Sequence, residues 1–351
     1  MTPYLFIFTI TLFLFVLFRW AFRELPSERW QILGVIPSVK ESDGFWQGIN
    51  LTYYGLFTAT AYVFAIGLAY ILLGALSVPA GMTTVILLVI CSASIPASRT
   101  LAHIIEKKPH TASVGAASFV GIMIAPFALW GIKHIFSLVT HTELNILPTL
   151  AVLGIAYAFG EGIGRLACIS FGCCYGKPLD ELPVLLRRIL GFRPFVFAGS
   201  TKKIAYADHL DEMEIFPVQA ITAVLYCVTG IMGILLYISG FYRFAFLLTL
   251  TITQLWRFLS EFLRADYRGS KKISIYQIMA LFTIPYGFFI ADFFYPLNII
   301  KPADLLMGFK IIGNPLLLIF LQILWMAMFW HSGRSHVTGA RLKFHVNHTK
   351  I

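Results

Sequence analysis

The chain has 351 residues, of which 58% are hydrophobic and only 13% charged. A soluble domain carries about 25% charged residues, so this composition excludes a water-facing surface over most of the chain. The net charge of +10 comes with no RNA- or DNA-binding motif. It therefore points to anionic lipid headgroups, and nucleic acid is excluded as an expected partner.

The first element is the apolar run Tyr4 to Phe18, closed by Arg19. It has no basic leader and no small-residue cleavage pattern, so it reads as a retained anchor helix. It reaches spanning length if Arg19 snorkels and Trp20 to Phe22 are counted. Residues 23–51, with Trp30 and Trp46, read as an amphipathic arm. Apolar runs of spanning length then recur, which places helices near 3–22, 52–74, 80–101, 113–136, 147–170, 216–239, 243–263, 274–295 and 313–331. Hydrocarbon cannot hydrogen-bond the backbone, so runs of this length are expected to be helical. The alternating ten-residue segments of a membrane β-barrel are not seen.

Two further polar stretches interrupt the spans. Residues 171–215 carry mixed charge, including Arg187, Arg188, Arg193, Lys202 and Lys203. Residues 332–351 form a basic tail in which His336, His345 and His348 are spaced too irregularly to suggest a metal. With nine spans, Lys133, Arg243, Lys301 and Lys310 fall on the side of the N-terminus and Arg257 lies within a span. That leaves 22 of the 27 Lys and Arg on or toward the other side. The rule that basic loops stay in the cytoplasm then puts the N-terminus outside and residues 171–215 inside.

The five Cys give no even disulfide framework. Cys91 and Cys227 lie in apolar runs, where a free Cys behaves as a small hydrophobe. Cys168, Cys173 and Cys174 are clustered, but not at a C-x-x-C metal or redox spacing. Two readings stand for them: soft packing residues, or a thiol that accepts or relays an acyl or alkyl group, its pKa lowered by Arg165 nearby. No metal site is expected.

Ionisable residues inside spans are costly and usually functional. They fall in two segments here. The first runs from Glu161 through Gly164-Arg165 and Cys168 to Gly172-Cys173-Cys174-Tyr175-Gly176-Lys177-Pro178. Its glycines permit close helix approach or a tight turn. The second is Arg257-Phe258-Leu-Ser-Glu261-Phe-Leu-Arg264-Ala-Asp266, leading into Tyr267-Arg268-Gly269. Its spacing puts Arg257, Glu261 and Arg264 on one helical face, with Arg257 able to pair with Glu261. Such a face is either an ion pair that locks helices together or an anion site, since a guanidinium fork matches phosphate geometry.

Together the two segments resemble the prolipoprotein diacylglyceryl transferase family. That family carries a glycine-arginine signature ending in a glycine-(Arg/Lys)-proline turn, read here as Gly164-Arg165 and Gly176-Lys177-Pro178, and an arginine-phenylalanine-x-x-glutamate-x-x-arginine helix, read as Arg257 to Arg264. Tyr53-Tyr54-Gly55-Leu56, Pro217-Val218-Gln219 and Ser274…Gln277…Gly287 are similar to further family patterns in the same order. The resemblance covers about residues 50–296. It divides the chain into an N-terminal anchor and arm (1–50), a membrane domain (51–296) with an extramembrane segment (171–215), and an extra C-terminal helix and basic tail (297–351).

The fold it implies is an all-α polytopic bundle of about seven family-like spans plus extra N- and C-terminal helices. The implied activity moves a diacylglyceryl group from phosphatidylglycerol to a cysteine thiol of a lipoprotein precursor, in a bacterial cytoplasmic membrane, with no cofactor. Arg165 and Arg257 would hold the phosphate and stabilise its leaving charge. Tyr54, Gly164, Gly176, Glu261 and Arg264 would bind substrate, with Glu261 orienting Arg257. The family signature has two asparagines and a glutamate where Cys168, Phe171 and Cys173 stand here. A family histidine beside paired glycines is replaced by Val114-Gly115-Ala116, with His110 about one helical turn away. The alternatives are a related enzyme with the same lipid donor and another acceptor, and a non-catalytic phospholipid-binding or transport protein. The resemblance places the active side outside the cytoplasm and the charge count places it inside, so both orientations stand.

Overall fold

The computed structural model describes residues 3–107, 113–140, 144–183, 193–266, 273–295 and 302–351. His110, Arg187, Arg188, Tyr267, Arg268, Gly269 and Lys301 lie outside the described residues. In chain order the helices are α1 (Pro3–Glu24), α2 (Tyr53–Gly74), α3 (Ala80–Glu106), α4 (Val114–Thr140), α5 (Ile146–Phe171), the short α6 (Lys203–Asp208), α7 (Val218–Ile238), α8 (Tyr242–Ser260), α9 (Ile275–Phe293), the short α10 (Leu305–Ile312) and α11 (Pro315–Gly333). All nine expected helices are present, and eight of them are long and apolar enough to cross a membrane. The ninth, α8, is more polar: it carries Arg243, Arg257 and the buried Thr249, Thr253 and Gln254.

Small residues set the packing. The most apolar window of α5 is 72% buried, against 11% for α11, so α5 is the central helix and α11 is peripheral. Helix α5 packs against α2, α7 and α8. A Cβ at Gly162 would lie 2.7 Å from Cys227 Sγ and 3.1 Å from the Ala223 carbonyl oxygen, so glycine is what lets α5 and α7 approach closely. Helix α1 buries Phe6, Ile10, Leu14, Phe18 and Ala21, a stripe at helical spacing, and leaves Phe8, Leu12 and Phe15 exposed.

The arm and the tail differ from expectation. Residues 23–51 hold two strands, β1 (Ile32–Lys40) and β2 (Trp46–Thr52), and the tail supplies β5 (Arg334–Leu342). The three form an antiparallel sheet in the order β1-β2-β5. Arg341 of the tail pairs with Glu41 at 2.8 Å and with Asp43, both at the tip of the β1–β2 hairpin. Thr52 joins sheet to bundle: its hydroxyl caps α2 by accepting from the Gly55 N–H at 3.4 Å and donates to the Gly333 carbonyl at 2.9 Å. At the N-terminus of α9, Ser274 and Gln277 form a reciprocal capping box.

Residues 193–215 fold back over the end of α5 through α6 and a two-strand ribbon of β3 (Phe195–Val196) and β4 (Glu214–Ile215). Lys202 fastens this cover. It is fully buried, and its Nζ donates to the Ser170 carbonyl at 2.6 Å and to the Leu25 carbonyl at 3.2 Å. These two acceptors match the two N–H donors of a neutral amine. Burial holds the Lys202 pKa down to about 7, with Glu28 and Cys173 pulling it partly back. In the window from pH 7 to about 10.4 the unfolded chain holds this proton and the folded one does not. Stability should therefore rise with pH, by up to about 1.4 kcal/mol per pH unit, and flatten below pH 7. Thermal unfolding in detergent across pH 6 to 9.5 checks this. The Lys202→Met variant is expected to lose that slope.

Candidate functional site

The site is built on one face of α5. Tyr157, Glu161 and Arg165 are spaced four apart and line up along the helix. Arg165 pairs with Glu161, and its Nη1 also donates to Cys168 Sγ at 3.8 Å. Arg257 reaches across from α8, donating from Nη2 to the Tyr157 hydroxyl at 2.7 Å and lying 3.4 Å from Glu161 Oε1. One carboxylate thus serves two guanidinium groups, which leaves the trio a formal charge of plus one. Their side chains are between 8% and 12% exposed. The Nε atoms of both Arg165 and Arg257 are buried and find no hydrogen-bond partner among the described residues.

The second segment departs from the expected single face at Arg264. Helix α8 ends at Ser260, Glu261–Leu263 is a turn of 3-10 helix, and Arg264 is extended. The backbone stays helical through Glu261 and turns extended only at Arg264, and Arg257 and Glu261 line the same cavity. Glu261 lies 3.6 Å from Arg264, whose Nε and Nη2 grip both oxygens of Asp266 at 2.7 Å. The turn Gly176-Lys177-Pro178 is stitched between the end of the 3-10 turn and the segment after β4: the Lys177 N–H donates to the Leu263 carbonyl at 2.9 Å, and the Phe216 N–H to the Lys177 carbonyl at 3.0 Å. A Cβ at Gly176 would overlap the Phe216 carbonyl oxygen, so only glycine fits this close approach.

A cavity of about 20 Å³, room for a water-sized group, lies where the two segments meet. Arg165, Arg257, Glu261, Arg264 and Cys174 are in its wall, as are Gln219 and Ser260. Three residues expected to bind substrate, Gly176, Gly164 and Tyr54, are not in the wall. Gly164 faces α2, where a Cβ would sit 3.9 Å from Ala61, and Tyr54 packs its ring 5.7 Å from that of Phe171. The segment Val114-Gly115-Ala116 opens α4 beside Arg257: a Cβ at Gly115 would lie 3.2 Å from Arg257 Nη1.

The three clustered cysteines converge. A Schellman turn ends α5, with Gly172 at φ +69° and the Cys173 N–H donating to the Cys168 carbonyl at 3.0 Å. That motif sets the residues at its two ends side by side. Cys174 is itself left-handed, at φ +55°, which turns its thiol inward. The three sulfur atoms lie within 4.8 Å of one another. The Cys174 pKa is held well below its ordinary range, first because the Cys168 and Cys173 thiols donate to it, then through the charges of Arg264 and Arg165.

Sequence reasoning named Glu161 but missed its shared role, and it missed Tyr157 entirely. The available signal was the four-residue spacing from Tyr157 through Glu161 to Arg165.

Comparison with known proteins adds to this geometry. The family model for prolipoprotein diacylglyceryl transferase matches residues 45–292. A protein of Clostridium tetani named phosphatidylglycerol--prolipoprotein diacylglyceryl transferase is 28% identical over 179 residues, which cover 48% of this chain and 63% of that protein. The match thus spans a little under two thirds of that relative. The family match takes in both arginine segments, the glycine-lysine-proline turn and the capping box of α9, and on that extent the chain belongs to the prolipoprotein diacylglyceryl transferase family.

Proposed function

We propose that this protein moves the diacylglyceryl group of phosphatidylglycerol onto a cysteine thiol of a lipoprotein precursor, in the cytoplasmic membrane of a bacterium. The observation that carries the reading is the pair of buried guanidinium Nε donors beside the cavity, on Arg165 and Arg257, that no acceptor among the described residues satisfies. Buried donors of this kind are costly unless an acceptor meets them, and a phosphate oxygen is such an acceptor. The acceptor sulfur attacks the glyceryl carbon, the carbon–oxygen bond to phosphate breaks, and glycerol phosphate leaves with the electron pair. The thiol proton ends on solvent or on the departing phosphate. Arg165 and Arg257 stabilise the negative charge as it grows on the leaving oxygen. A phosphate is larger than the cavity, so the headgroup enters by displacing side chains of its wall. Residues 51–296 form the proposed transferase domain, with 1–50 and 297–351 as additions to it.

A second reading is favoured by one observation: each of Arg165, Arg257 and Arg264 already meets a carboxylate. On that reading the cluster is a lock between helices and the chain binds or moves phospholipid without chemistry. Purified protein given labelled phosphatidylglycerol and a lipobox peptide separates the two. The expected result is thioether-linked peptide together with free glycerol phosphate. Intact lipid after prolonged incubation would overturn the proposal in favour of the lock.

A further inference from the structure

The thiol cluster is not explained by helix packing. Cys174 lines the same cavity as Arg165, Arg257 and Arg264. Two bends bring it there, the Schellman turn at Gly172 and a left-handed backbone at Cys174 itself, a conformation that L side chains rarely adopt. Its two neighbours Cys168 and Cys173 place their sulfurs within 4.8 Å of it. A soft metal ion would need all three sulfurs as thiolates, and the surrounding guanidinium groups repel a cation. The same groups favour a single negative charge shared over the cluster. Cys174 is the member of the trio whose pKa is lowered, through its two thiol neighbours and then through Arg264 and Arg165. It is also the one in the cavity wall, which presents it as the nucleophile of the cluster.

A phospholipid whose phosphate is held by Arg165 and Arg257 presents its glyceryl carbon one bond from the phosphate oxygen. The acyl carbonyls lie several bonds farther away. Among the carbon electrophiles of the lipid, the glyceryl carbon is therefore the one closest to the held phosphate.

We infer that Cys174 is itself a diacylglyceryl acceptor, so that the protein carries a thioether-linked diacylglyceryl group in its own cavity wall. The inference rests on the proposed lipid donor. In the step, the Cys174 sulfur forms a bond to the glyceryl carbon, the carbon–oxygen bond to phosphate breaks, and glycerol phosphate leaves with the electron pair. The proton that Cys174 gave up has already passed to solvent. No oxidant or other co-reactant is needed. A thioether is a poor leaving group, so the modification is stable.

Intact-protein and peptide mass spectrometry test this on the full chain, both as purified and after incubation with phosphatidylglycerol vesicles. One diacylglyceryl mass is expected per chain, mapped to Cys174 and resistant to hydroxylamine. The adduct should be absent from Cys174→Ser and present in Cys91→Ser and Cys227→Ser. Release by hydroxylamine would mean a thioester at an acyl carbonyl and would overturn the inference. So would an adduct that persists in Cys174→Ser. Transfer to a lipobox peptide without any adduct would overturn the inference and leave the proposed function standing. If neither adduct nor transfer occurs, both fall. An adduct without peptide transfer supports the inference and removes only the peptide as acceptor.

Discussion

Replacing Arg165 or Arg257 with alanine is expected to lower phosphatidylglycerol turnover by about 100- to 1000-fold each, the usual cost of removing one preset donor from a developing oxyanion. The two guanidinium groups come from different helices, α5 and α8, yet converge on one carboxylate and one cavity wall. They act as a unit, so the double variant should lose far less than the product of the single losses. Lysine should not restore either position. It carries the charge but has no planar fork, and Arg257 uses one arm on Tyr157 while keeping Nε free for a second acceptor. Single-turnover release of glycerol phosphate, measured at saturating lipid, reads this directly. Wild-type rates in both alanine variants would remove these residues from the chemistry.

The helices were readable from the sequence because hydrocarbon imposes a length and a composition that few other environments demand. Each of the nine expected helices is present, with ends shifted by a few residues. The sheet was not readable, because its pairing is non-local. Gly48 faces Ala340 across almost the whole chain, and nothing near either residue announces the other. The same holds for Gly55, part of a family-like motif, whose absent side chain makes room for the backbone of Gly333 in α11. Within the site, Arg165 and Arg257 stood out because charge is rare inside spans. Glu161 stood out for the same reason, but its sharing between two arginines from different helices did not. A helical-face argument assigns Glu261 to Arg257; it does not reveal that Glu261 also lies 3.6 Å from Arg264, or that Glu161 of another helix approaches Arg257 at 3.4 Å. The cysteines stood out as a cluster, but the convergence of their three sulfurs was hidden by their spacing. Five residues is no metal or redox motif in a straight helix, but it joins the two ends of a Schellman turn once glycine at 172 ends the helix.

Glu161 is the residue on which stability and chemistry should part. Glu161→Ala leaves two buried guanidinium groups without their carboxylate, and breaking a buried pair in this way typically costs about 3–5 kcal/mol. A lower unfolding midpoint in detergent is the expected readout. Glu161→Gln keeps the size of the side chain and one carbonyl acceptor, so its stability loss should be smaller. Its effect on the lipid should run the other way. Removing the carboxylate raises the formal charge of the trio from plus one to plus two and withdraws the internal competitor for the guanidinium donors. An anionic headgroup should then bind more tightly while turnover falls, because Glu161 also fixes where Arg165 and Arg257 point. Binding of phosphatidylglycerol and single-turnover rate, measured on the same Glu161→Gln preparation, distinguish this from a plain helix lock. If the cluster only clamps α5 to α8, affinity for the lipid should fall along with stability.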